Sequence, residues 1–128
     1  MKNDTQRKNR NMARDFLTSS FSAIGDEAML SEMLSQCDSL VKNVGADIPP
    51  ELDRSEKIRK NLAEITARRN MIELVMSGLL PGEKQVINGF FRDGISAEEI
   101  AENVCCERSE VYRIKDRALD KIVRYIGV

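Results

Sequence analysis

Apolar residues recur at three- and four-residue spacing along most of the chain, and no run alternates apolar and polar positions over strand length. The pattern predicts an all-α protein. Residues 1 to about 10 are polar and basic (Lys2, Arg7, Lys8, Arg10) and read as a frayed end. A first helix is expected from about Asn11, with Phe16, Leu17, Phe21 and Ile24 inward and Gly25 as its stop. A second starts at Asp26, carries Leu30, Met33, Leu34, Cys37, Leu40, Val41 and Val44 on one stripe, and is closed by Gly45 at the C′ position. Pro49 and Pro50 then break the chain, because neither can lie inside a helix. A long third helix follows, with Ser55 as a candidate N-cap and Ile58, Leu62, Ile65, Ile72, Met76 and Leu79 as a heptad-like stripe interrupted by Arg69. The short linker folds the second and third helices into an antiparallel hairpin. The same stripe could also join two copies, and a homodimer is expected.

Gly78 and Pro81-Gly82 separate this N-terminal helical region, residues 1–78, from a C-terminal module, residues 79–128. Pro81 suits the first turn of a new helix reaching about Phe91, with Val86, Ile87, Phe90 and Phe91 inward. Arg92-Asp93-Gly94 reads as a turn. Ser96 followed by Glu99 is a capping box, with Ile95 and Ile100 as its hydrophobic staple. The helix so begun ends near Val104. After Cys105-Cys106-Glu107, a last helix turns Val111, Ile114, Ala118, Leu119 and Ile122 inward.

Two short amphipathic helices around a tight turn form the pattern of a helix-turn-helix, which lays its second helix in the major groove of DNA. The N-terminal end of that helix reaches furthest into the groove, and Arg108, Ser109, Tyr112 and Arg113 stand there. Arginine can bond guanine in a bidentate manner; serine and tyrosine can bond bases or phosphates. Lys115, Arg117 and Lys121 are better placed for phosphates.

The net charge of −1 makes no general case for nucleic acid. From Glu107 onward, however, six basic side chains outnumber four acidic ones, whereas from Pro81 to Cys106 five acidic residues face two basic. So modest a field predicts weak binding by a lone module. There is no histidine, and Cys37, Cys105 and Cys106 lack metal-ligand spacing. They read as reduced thiols of a cytoplasmic chain, Cys105 and Cys106 being small residues in a turn. No cofactor is expected, and no segment is long and apolar enough for a membrane.

The segment LPGEKQVINGFFRDGISAEEIAENVCCERSEVYRIKDRALDKI resembles region four of bacterial sigma factors, which reads the upstream promoter element. The likeness runs without a gap from Ser96 to Leu119, through the EEIAE core and the V-x-x-I-K-x-R-A-L ending, with L-P-x-E at Leu80 to Glu83 ahead of it. Regulators of the LuxR type share parts of it. The layout is similar to that of small phage transcription regulators of the RinA and ArpU kind, in which a helical N-terminal region precedes such a module. The resemblance implies base reading by Arg108, Ser109 and Arg113, flanked by Glu110 and Tyr112, and a contact with RNA polymerase. Four positions depart from the sigma pattern: Cys105 stands for the usual turn glycine, Glu107 for the serine or threonine cap, and Glu110 and Tyr112 for residues often basic.

These readings converge on a phage- or prophage-encoded regulator that binds double-stranded DNA beside bacterial RNA polymerase. A complete sigma factor is excluded, since promoter melting needs exposed aromatics and this chain has no tryptophan and only Tyr112 and Tyr125 as tyrosines. The alternative is an interaction module, polymerase-binding or anti-sigma-like, that never meets DNA; near-neutral charge and the acidic Glu110 favour it. An enzyme is not expected: no glycine-rich phosphate loop appears, and no serine or cysteine has an evident base.

Overall fold

A computed structural model describes residues 2–44 and 54–127. All regular structure among them is helical: α1 (Lys2–Gly25), α2 (Glu27–Val44), α3 (Ser55–Ser77), α4 (Pro81–Ile87), α5 (Ala97–Val104) and α6 (Arg108–Tyr125), with a π-helical turn, Asn88–Arg92, continuing α4. No described helix is long and apolar enough to cross a membrane. The chain divides into two compact units, Ser22–Asn70 and the pair of segments Met1–Phe21 and Met71–Val128. The boundary expected between residues 78 and 79 falls inside the second of these.

In the unit Ser22–Asn70, charge pairs fix the direction of α2 against α3. Glu27, at the start of α2, pairs with Arg69 late in α3; Asp38, further along α2, pairs with Arg59 early in α3 at 2.9 Å. That is the expected antiparallel hairpin, and it explains why Arg69 interrupts the apolar stripe. The α3 stripe is not available to a second copy in the way expected. Ile58 and Ile65 are buried in the isolated chain, as is Ile72 in the other unit, and Leu62 and Met76 are half-buried. The chain's own packing consumes the stripe. Among the described residues of α2, Met29, Met33 and Leu40 are the exposed large apolar ones. Arg54 supplies the carbonyl that accepts the Ile58 N–H, so Ser55 is the first helical residue of α3 and not its cap. The expected stop at Gly45 and the break at Pro49-Pro50 lie outside the described residues.

In the other unit, α1 starts at Lys2, well before the expected Asn11. The physical reason is a tertiary partner: Gln6 and Arg10 reach Asp120 of α6, so the polar first turns are anchored. Its most deeply buried residues are Ala13, Leu17 and Ser20, while Phe16 and Phe21 are half-buried. Leu17, Ile87, Leu119 and Ile122 are all fully buried. Val86, Ala97, Ile100, Ala101 and Val111 form one buried cluster, flanked by Phe90, Ile95, Val104 and Ile114.

Local chemistry sets the helix ends. Leu80 has extended backbone (φ −70°, ψ 156°) and Pro81 opens α4, its missing N–H being one the first turn does not need. The α4 helix stops at Ile87, short of the expected Phe91, and the chain loosens into the π turn, where the Asp93 N–H bonds the Asn88 carbonyl at 2.8 Å. Ser96 caps α5, its Oγ accepting the Glu99 N–H at 3.2 Å. The turn into α6 is made by Cys105 in the left-handed region (φ 56°, ψ 49°), with the Cys106 N–H on the Ala101 carbonyl at 3.0 Å. This is Schellman-type closure without glycine. Glu107 opens α6 with extended backbone and no side-chain capping bond.

Candidate nucleic-acid interface

The inward positions of α6 are Val111, Ala118, Leu119, Ile122 and Val123. They fix which side chains face solvent. Arg108, Ser109, Tyr112 and Arg113 are all exposed on the first turns, as expected. Arg108 pairs with Glu98 of α5 at 3.0 Å and lies 5.8 Å from the Tyr112 ring centroid. Arg113 is more open than Arg108, its side chain 78% exposed, with a looser 3.6 Å approach to Glu110 one turn back. Tyr112 leans on Phe90, ring centroids 6.2 Å apart.

The three cations assigned to phosphates have partners within the protein. Lys115 is half-buried, and its ammonium sits 4.4 Å from the Phe90 centroid and 5.8 Å from that of Tyr112. Burial, and then repulsion from Arg14, push this ammonium below its ordinary pKa, against the pull of Asp116. Arg117 and Lys121 converge on Glu83. Arg117 Nε donates to one carboxylate oxygen at 3.0 Å, Lys121 to the other at 2.7 Å, and the Leu80 N–H shares the latter at 2.8 Å. Glu83 is buried to 1% exposure. Burial alone would raise its carboxyl pKa; the bonds from Lys121, Leu80 and Arg117 outweigh that and hold it below the usual range. Half of the Arg117 side chain still meets solvent.

Glu83 is therefore the point where α4 is tied to α6, a role that L-P-x-E does not reveal as sequence. It shows a helix start; the two partners lie 34 and 38 residues away. The α1 contribution is likewise invisible in the local sequence. Arg10 Nε and an adjacent guanidinium nitrogen each bond Asp120 at 2.9 Å, and its other nitrogen lies 3.6 Å from Asp116. Asp116 and Asp120 follow Arg113 on the same side of α6, so the clasp neutralises carboxylates that would oppose a polyanion.

Cys37, Cys105 and Cys106 are free thiols. Among the described residues, no group of three or more histidine, cysteine or acidic side chains could hold a metal. No family model, curated protein or solved structure matches the chain.

Proposed function

We propose that this protein is a sequence-specific DNA-binding transcription regulator, phage or prophage encoded, acting beside bacterial RNA polymerase in the cytoplasm. The observation that carries the reading is the exposed start of α6. Arg108, Ser109, Tyr112 and Arg113 project from a helix seated on α5 through a tight left-handed turn, an arrangement suited to the major groove. The likeness of Ser96–Leu119 to sigma region four supports the same surface. Arg108 and Arg113 are the base readers, with Ser109 and Tyr112 beside them. Arg117 reaches phosphate through the part of its guanidinium not engaged by Glu83, while Lys115 and Lys121 mainly hold α6 in place.

Titration of fluorescent genomic duplexes across a salt series tests this. Binding that weakens steeply with salt, and prefers some fragments, is the expected result. No binding at low salt would overturn it.

A second reading, an interaction module binding polymerase without DNA, is favoured by one observation: Arg108 and Arg113 already face Glu98 and Glu110. It predicts capture of polymerase by the intact protein with no duplex binding at any salt. Self-association, on either reading, has the α2 row Met29, Met33 and Leu40 as its surface. Light scattering across micromolar concentrations of wild type and Met33→Glu measures it.

A further inference from the structure

The face of α6 that carries Arg113 continues into a second basic surface made by α1. Positions 109, 113, 116 and 120 follow one another at four, three and four residues and share one side of the helix. Arg10 covers the two carboxylates on that side. Arg7 and Arg14 stand three residues before and four after Arg10, on the same face of α1. With Gln6, Arg10, Asn11 and Asp116 they line a cleft of about 420 Å³.

Two of the three guanidinium groups there lack a counter-charge. Arg7 has no ion pair among the described residues. Among the described residues, Arg14 has only a 3.5 Å hydrogen bond from its terminal nitrogen to the neutral Asn11 side chain, and its Nε is buried with no acceptor. The charge of Arg14 is felt by Lys115 next to it as repulsion. Two guanidiniums that line one cleft without a counter-charge suit the oxygens of a tetrahedral anion.

We propose that this cleft between α1 and α6 binds a phosphate group, Arg7 and Arg14 being its ligands, and that the phosphate belongs to the backbone of a duplex read by the start of α6. The inference rests on the DNA reading for the source of the phosphate, not for the site. Contacts of this kind carry no sequence information and set the register of a recognition helix. They also answer the weakness expected of a module with so few basic residues on α6, because α1 adds its own.

The test uses the full chain in two arms. In the first, duplex affinity is followed against salt for wild type, Arg7→Gln and Arg14→Gln. Each substitution should weaken all duplexes alike and flatten the log–log salt slope by about one, the signature of a lost phosphate contact. Arg7 is exposed, so its variant keeps the test open if Arg14→Gln unfolds. In the second arm, the arginine Nε–Hε resonances are followed by NMR as inorganic phosphate replaces chloride at constant ionic strength. A saturable shift at Arg14 is expected. Duplex binding with an unchanged slope in both variants, and no shift at Arg14, would overturn the site. A shift without any duplex binding would overturn DNA as the source and keep a site for free phosphate. Neither binding nor shift would overturn both.

Discussion

A methyl group built on Gly89 would lie 2.8 Å from Cδ1 and Cγ1 of Ile100. The π turn therefore approaches α5 so closely that only glycine leaves room for the buried Ile100 side chain. Gly89→Ala is expected to cost about 1–3 kcal/mol, the usual range for overpacking a filled core. Chemical denaturation of the two proteins measures it. A variant as stable as wild type would show that Ile100 has space to move.

Glu83 gives the fold an acid-sensitive joint. Its carboxyl pKa in the fold lies below the ordinary 4.5, so its contribution is fully present above that value. The contribution is lost as pH falls through the folded value, where the proton ends its pairing with Lys121 and Arg117. Glu83→Gln should destabilise the protein by about 1–3 kcal/mol at pH 7, less than a fully enclosed pair because both cations remain partly in water. Melting curves between pH 7 and pH 2 should fall below about pH 4.5 in wild type and show a smaller drop in the variant.

Cys105 holds a left-handed conformation that costs a side-chain residue about 1–2 kcal/mol. Replacing it with glycine removes that cost and adds back part of it as unfolded-state entropy. Cys105→Gly is expected to gain about 0.5–1 kcal/mol without changing the α5–α6 geometry, read as a raised melting temperature. A loss of stability would mean the exposed thiol contributes more than its weak 3.9 Å contact to the Glu102 carbonyl suggests.

Lys115 and Arg113 should separate cleanly. Lys115→Ala removes an ammonium from over the Phe90 ring and is expected to lower stability by about 1–2 kcal/mol, with the salt slope of DNA binding unchanged. Arg113→Ala should leave the melting curve where it was and cost about 1–3 kcal/mol of preferred-site binding, the size of one bidentate base contact. Parallel melts and titrations give both numbers, and an exchange of the two behaviours would reverse the roles.

The all-helical architecture was legible because Leu, Ile and Val at three- and four-residue spacing leave no other period. Pro81, Gly94 and Ser96 marked their local structure for the same reason: each acts through its own backbone or the next turn. Exposure at Arg108, Ser109, Tyr112 and Arg113 followed from where Val111 and Ala118 must point. What local pattern does not show is which distant side chain a polar residue meets. Lys115 looks like an outward cation on a helical wheel, yet Phe90 captures it. The first ten residues look frayed, yet Asp120 orders them. Cys105 stands where a turn glycine is usual, yet a residue other than glycine reaches the left-handed region when the bonds around it are good enough.

The clasp of Arg10 on Asp120 spans 110 positions of the chain. Closing so long a loop carries an entropic cost that must be met before the contact returns anything, and contacts of this range slow folding. During synthesis α1 leaves the ribosome first, while its partner on α6 emerges only after the whole of Ser22–Asn70 and the short helices behind it. The first helix thus waits for the last. Until then its polar turns lack their bonds to Asp120, and the cleft proposed to take phosphate is completed only when α6 docks.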